Sequence, residues 1–114
     1  VLRADYGEDS FLFTGDAETP VEKELLAAYP SHMLDCDVLK VGHHGSTTSS
    51  SAAFLDAVTP EIAVIEVGKD NDYGHPKEKI LSRLSEYTSQ IYRTDTDSTV
   101  VLVSNGQGIS RADQ

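Results

Sequence analysis

Three of the four histidines in this chain sit in two short polar motifs. His43 and His44 lie in Lys40-Val41-Gly42-His43-His44-Gly45-Ser46, and His75 lies in Asn71-Asp72-Tyr73-Gly74-His75-Pro76. A further motif, Thr14-Gly15-Asp16-Ala17-Glu18, carries two carboxylates. Imidazole and carboxylate are the side chains that ligate divalent metals and pass protons near neutral pH. Each motif follows an apolar stretch that reads as a buried strand: Phe11-Leu12-Phe13, Val38-Leu39-Lys40-Val41 and Ile62 to Val67. Ligand-type residues just past the carboxyl ends of adjacent strands make a site.

Residue by residue, two readings compete. Asp16 follows a strand and a glycine, so its carboxylate emerges where the chain turns into a helix, either as a ligand or, with Thr19, as a cap of that helix. Glu18 reads as an acid that complements the helix dipole. Adjacent side chains on extended chain point to opposite sides, so one of His43 and His44 faces a metal and the other meets substrate or a neighbouring loop. Ser46, or the amides that follow it, offer an anion a place near the helix start at Ser49-Ser50-Ser51. His75 lies over the same strand ends or is a loop residue bonded to backbone. His32 reads as a surface residue, and Arg93 as the partner of Asp95 or Asp97.

The elements that must position these groups follow from periodicity and punctuation. Val1 to Tyr6 and Ser10 to Thr14, separated by Gly7-Glu8-Asp9, predict a hairpin. Thr19 as N-cap, Pro20 at the first helical position, and Val21, Leu25, Leu26 and Tyr29 on one face predict a helix that ends by Pro30. Cys36 to Val41 predicts a strand, Ser51 to Val58 a brief helix stopped before Pro60, and Ile62 to Val67 a central strand. Pro76 to Tyr87 forms a helix with Ile80, Leu81 and Leu84 on one face, and two strands, Ile91-Tyr92-Arg93 and Thr99 to Val103, close the domain. Alternating strands and helices imply an α/β layer architecture.

Composition narrows the classes. The 114 residues allow one domain that buries roughly two thirds of its unfolded surface. A hydrophobic fraction of 39% and a charged fraction of 25% are those of an ordinary globular protein. No run approaches the ~18 apolar residues of a membrane span. Nine Lys plus Arg against nineteen Asp plus Glu give a net charge of −10, which disfavours non-specific attraction to phosphate backbones yet suits the gathering of divalent cations. The single Cys36 makes no internal disulfide and reads as a small buried thiol. A start at Val1 inside a strand, with no signal peptide before it, reads as an excised piece of a longer chain.

The ordered series Leu12-Phe13-Thr14-Gly15-Asp16-Ala17-Glu18, Asp37 to Ser46, Ser49-Ser50-Ser51, Asn71 to Pro76 and Tyr92-Arg93-Thr94-Asp95 resembles the C-terminal half of a metallo-β-lactamase-fold domain. It is most similar to the C-terminal domain of ComEC-type competence proteins, the DNA-uptake channels of transformable bacteria. The resemblance implies an α/β structure, half of an αββα arrangement with a mixed sheet and helices, over residues 1–106, with 107–114 a disordered tail. It implies two divalent ions, zinc or manganese, bridged by Asp16 and ligated by His44. His43 would then lie near substrate, with Asn71 and His75 approaching the substrate phosphate as catalytic residues. The implied reaction is phosphodiester hydrolysis of the DNA strand degraded during uptake.

One departure from the pattern matters as much. The His-x-His-x-Asp-His segment that the N-terminal half of such a domain contributes occurs nowhere in the 114 residues. Asp16 and His44 alone fall short of the about three or four protein ligands of a usual zinc site. The stretch is therefore expected to bind no metal stably and to be inactive by itself. Its expected partners are the missing N-terminal half, DNA, the membrane-channel segments of a parent protein, and a second copy of itself. The expected location is a soluble domain attached to a bacterial cytoplasmic-membrane protein, on either side of the membrane. Two other readings of the same residues are a free-standing hydrolase of a small phosphoester or lactone, and a non-catalytic binding domain.

Overall fold

Gly7 and Glu8 turn the chain between β1 (Leu2–Tyr6) and β2 (Asp9–Phe13), which pair antiparallel with Leu2 opposite Phe13 and Tyr6 opposite Asp9. The computed structural model describes residues 1–112. After β2 the chain alternates helix and strand. The helix α1 (Thr19–Ala28) carries Pro20 in its first turn, but its N-cap is Glu18. Thr19, expected at the cap, is already helical, and its hydroxyl donates to the carbonyl of Thr48 at 3.0 Å. A single turn, α2 (Ser31–Leu34), puts His32 on the surface and leads into β3 (Val38–Lys40). Ser51 caps α3 (Ala52–Val58) by accepting the Phe54 N–H at 3.3 Å, and Thr59 ends it in left-handed backbone before Pro60. Then come β4 (Ile62–Ile65), α4 (Glu78–Ser85), β5 (Gln90–Arg93), a short α5 (Thr94–Asp97), β6 (Leu102–Ser104) and β7 (Ile109–Arg111).

The five-stranded sheet has the order β1-β2-β3-β4-β5, with β2 through β5 parallel. Sequential order in a parallel sheet gives every crossover the same hand, which sends the connecting helices to one face. That face is the core. Leu12, Leu39, Ala63 and Ile91 stand in register across the strands, and Phe54, Leu55 and Val58 of α3 and Ile80 and Leu84 of α4 close over them. Each large aliphatic or aromatic side chain so buried contributes about 1.5–3 kcal/mol. Cys36 joins this cluster, and burial pushes its thiol up to about 12, which makes it a packing residue.

The opposite face is partly open. Phe11, Val38 and Ile62 lie in one row across it, and Phe13, Lys40, Val64 and Tyr92 in the next. A cavity of about 250 Å³ separates Phe11, Phe13, Val38 and Val64 from Val100 and Leu102. Leu2 and Phe13, register partners at the sheet edge, are 64% and 43% exposed.

The tail beyond residue 106 departs from expectation. Ile109–Arg111 forms β7, which pairs antiparallel with β6 in a separate two-stranded sheet, and Ala112 donates to the carbonyl of Val101 at 2.9 Å. Its anchor is Asp9, whose buried carboxylate accepts from the Ser104 hydroxyl and from the amides of Gly106 (3.2 Å) and Gly108 (3.1 Å). A Cβ on Gly7 would stand 2.6 Å from the carbonyl oxygen of Gly106, so the two turns meet backbone to backbone. The expected strand Thr99 to Val103 thus begins later, at Leu102, and belongs to this hairpin rather than to the main sheet. Residues 113–114 lie outside the described residues. Among the described residues no helix is long and apolar enough to cross a membrane.

Candidate functional site

Parallel strands in sequential order deliver their C-terminal ends to one edge, and the three motifs meet there. Thr14 leaves β2 by donating its hydroxyl to the Lys40 carbonyl at 2.7 Å, while the Lys40 ammonium donates to the Gly15 carbonyl at 2.9 Å. The His43 amide donates to the same Gly15 carbonyl at 3.0 Å. A Cβ at Gly42 would lie 2.9 Å from the Ala17 carbonyl oxygen, so only glycine lets the loops after β2 and β3 lie this close. Gly45 plays the same part toward the third motif: at φ +82°, it faces Pro76, whose Cβ would be 2.6 Å from an added Cβ.

Between these glycines the chain is not extended. His43 (φ 48°, ψ 45°) and His44 (φ 56°, ψ 26°) both take left-handed backbone within the tight turn Gly42–Gly45. Two successive non-glycine residues in this region are strained by about 1–2 kcal/mol each and persist only where tertiary contacts hold them. The opposite-side geometry of a strand therefore does not apply to the pair. Hydrogen bonding separates them instead. His44 Nδ1 lies 2.6 Å from the carbonyl oxygen of Glu66, and since a carbonyl only accepts, Nδ1 carries the proton. In the neutral ring the lone pair is then on Nε2, which faces Asp16 Oδ1 at 3.5 Å. His43 Nδ1 lies 3.5 Å from both Glu18 Oε2 and Thr48 Oγ1. Glu18 caps no backbone amide with its side chain, so its carboxylate serves His43, a partner that sequence reasoning assigned only to the helix dipole.

The third motif joins through His75, whose ring stands edge-on to that of His43 at 5.9 Å. Burial first, and then Lys77, His43 and His44, push His75 below the ordinary imidazole value, so its ring is uncharged at neutral pH. Asn71, expected against substrate, is engaged within its own loop. Its Oδ1 accepts from the amides of Tyr73 (3.1 Å) and His75 (3.0 Å), and its Nδ2 donates to the carbonyls of Gly68 (3.1 Å) and His75 (2.7 Å). All four hydrogen-bonding positions of the amide are thereby used. An Asn bonding its backbone two residues on is a common turn device, and the signal was in the sequence.

The helix start at Ser49-Ser50-Ser51 offers no place for a free anion. Glu22, only 2% exposed on α1, accepts from the amides of Ser50 (2.5 Å) and Ser51 (2.9 Å). Ser46 is buried, with its hydroxyl 2.9 Å from that of Thr48. Arg93 pairs with Asp95 through two bonds (3.0 and 2.8 Å) and donates its amide to Asp97 at 2.7 Å, which keeps this cation off the site. That pairing holds the Asp95 carboxyl below the usual carboxylate range. Among the described residues no three His, Cys, Asp or Glu side chains come together as a metal-holding group.

A parallel α/β sheet that gathers a carboxylate and paired histidines at its C-terminal edge, and leaves its other face partly open, defines a two-layer half of a larger layered domain. The chain belongs to the metallo-beta-lactamase superfamily, whose family model matches residues 1–68. That span holds Asp16, His43 and His44, while Asn71, Tyr73 and His75 lie beyond it. The chain is 39% identical over 100 residues to ComE operon protein 3 of Bacillus subtilis (strain 168), covering 88% of this chain and 13% of that protein. It is 43% identical over 95 residues to Competence protein ComA of Neisseria gonorrhoeae, covering 83% of this chain and 14% of that one. It is 37% identical over 100 residues to Recombination protein 2 of Haemophilus influenzae, at 88% and 12% coverage. The chain thus spans a small fraction of the length of the curated relatives it matches. No solved structure shows a significant match.

Proposed function

We propose that this chain is the C-terminal half of a metal-dependent hydrolase domain in a competence-type protein, and that the completed domain cleaves phosphodiesters of DNA during uptake. The observation that carries the reading is the ring of His44. Its Nδ1–H is held by the Glu66 carbonyl and its Nε2 faces Asp16, the orientation in which metal-ligating histidines are usually fixed. Asp16 and His44 fit a divalent metal as ligands, but they are two. The remaining ligands come from the upstream half, packed on the open face that carries Leu2 and Phe13. Membrane-channel segments of the parent protein and incoming DNA are its further partners.

Divalent ions, when bound, acidify water and polarise a phosphoryl oxygen. The other residues act on the substrate. His43, oriented by Glu18 and Thr48, presents its ring beside His75 and contacts the phosphate. His75 meets it as an uncharged ring that donates or accepts a single hydrogen bond. Asn71 is a positioning residue that holds the loop carrying His75.

The test is Asp16→Asn in the intact protein that carries this chain. Hydrolysis of DNA should fall nearly to background with the fold unchanged by circular dichroism, because Asp16 is exposed at a strand end. Near wild-type activity would return Asp16 to a local role at the start of α1. The chain alone should bind zinc or manganese weakly in calorimetry, and two equivalents retained through dialysis would overturn the half-site reading.

A further inference from the structure

We propose that Tyr73, braced on His75, is the stacking platform for one unpaired base of a nucleic-acid strand whose phosphate lies at the histidines. This rests on the phosphodiester reading above and names its substrate class as a single strand. Tyr73 is 75% exposed, yet its ring is not adrift: it lies nearly parallel to the His75 imidazole, at 26° with centroids 5.7 Å apart. His75 in turn stands edge-on to His43, so the three rings run continuously from the candidate catalytic histidine to open solvent.

The backbone of Tyr73 is fixed from both sides. Its amide donates to Asn71 Oδ1 at 3.1 Å, and its carbonyl accepts from the Lys77 ammonium at 2.9 Å. An aromatic residue held in this way binds with little further loss of conformational freedom. Beside it lies a cavity of about 160 Å³ lined by His44, Val67, Gly68, Asn71, Tyr73 and His75. Whole small-molecule ligands occupy roughly 300 Å³ or more, so this space takes one ring of a larger ligand.

The chemistry of the lining says how that ring is held. Asn71 supplies the only amide side chain there, and all four of its positions are used within the loop, so it reads no base edge. What remains is the aromatic face, which every base can use. A base inside a duplex is already stacked on its neighbours and has no face to give. A net charge of −10 also leaves general attraction to phosphates weak, which throws affinity onto such contacts.

The experiment uses the intact protein and hydrolysis-resistant phosphorothioate oligonucleotides of one length: single-stranded, duplex, and abasic at the central nucleotides. The single strand should bind more tightly than the other two, with quenching of a 2-aminopurine placed near the scissile position. Tyr73→Ala and Tyr73→Leu should weaken single-strand binding roughly 5- to 100-fold and leave abasic binding unchanged, while Tyr73→Phe keeps the wild-type value. Wild-type affinity in Tyr73→Ala, equal losses for abasic and base-bearing strands, or duplex binding as tight as single-strand binding would each overturn the inference. DNA that is bound and cut without regard to Tyr73 sinks this inference alone. If the wild-type protein neither binds nor cuts any phosphodiester, the functional reading falls with it.

Discussion

Glu22, buried on α1, accepts the amides of both Ser50 and Ser51, so an internal carboxylate occupies the helix start where a phosphate would otherwise be expected. The bond ties α1 to the segment that leads from the paired histidines into α3. Glu22→Ala leaves two largely buried N–H groups without an acceptor and should cost about 2–4 kcal/mol in urea denaturation, whereas Glu22→Gln, which keeps one acceptor, should cost about half as much. Equal stability of all three proteins would mean that water replaces the carboxylate.

Asn71 makes four hydrogen bonds inside its loop, and their loss should be visible without any assay of activity. In Asn71→Ala the amides of Tyr73 and His75 should exchange with deuterium at least about tenfold faster, since each lost bond contributes about 0.5–1.5 kcal/mol. Asn71→Asp keeps the two acceptor bonds and loses the two donor bonds, so it should fall between. Unchanged exchange in Asn71→Ala would show that Pro76 and the neighbouring backbone hold the loop unaided.

The Tyr87 hydroxyl donates to Asp56 of α3, and that bond, with burial and the charge of Asp56 adding to it, pushes the phenol from its ordinary value of 10.0 up to about 12. A group whose folded value is raised stabilises fully below its unfolded value and loses that stabilisation as pH climbs through the folded one. The Tyr87–Asp56 contribution is therefore complete below pH 10.0 and disappears as pH rises to about 12. Tyr87→Phe should be less stable by about 1 kcal/mol at neutral pH, with the gap from wild type closing over that alkaline window. Tyrosinate absorbance should lose its last-titrating component in the variant. A gap that persists beyond the window would assign the loss to packing.

The elements that carry this site were legible because their signals are local. Ser51 before Ala52-Ala53-Phe54 and Pro60 after Thr59 bracket α3 nearly as the chain folds, and apolar strands punctuated by Gly15, Gly42 and Gly68 foretell a site at their ends. What could not be read depends on distant partners. Thr19-x-x-Glu22 spells a capping box, yet Thr19 bonds to Thr48 and Glu22 to Ser50 and Ser51, because the loop before α3 lies over the start of α1. Ile109-Ser110-Arg111 alternates too briefly to announce a strand, and becomes one because Asp9, a hundred residues earlier, holds its turn. The left-handed backbone of His43 and His44 is likewise imposed from outside, by Gly15, Ala17 and Pro76 pressed against the flanking glycines.

That imposed turn gives the two histidines different work, for a reason other than strand alternation. His44 spends Nδ1 on the Glu66 carbonyl and turns Nε2 toward Asp16, whereas His43 has Glu18 and Thr48 at its Nδ1 and the His75 ring beside it. In the intact protein, His44→Ala should lower metal content and rate together. His43→Ala should keep its metal and lose turnover, and Glu18→Gln should reproduce a milder form of the same loss, since it keeps an acceptor beside Nδ1 while removing the charge. Metal analysis run beside kinetics on these variants separates the roles. Loss of metal in His43→Ala with retention in His44→Ala would exchange the two assignments, and unchanged activity in both would remove the paired histidines from the reaction altogether.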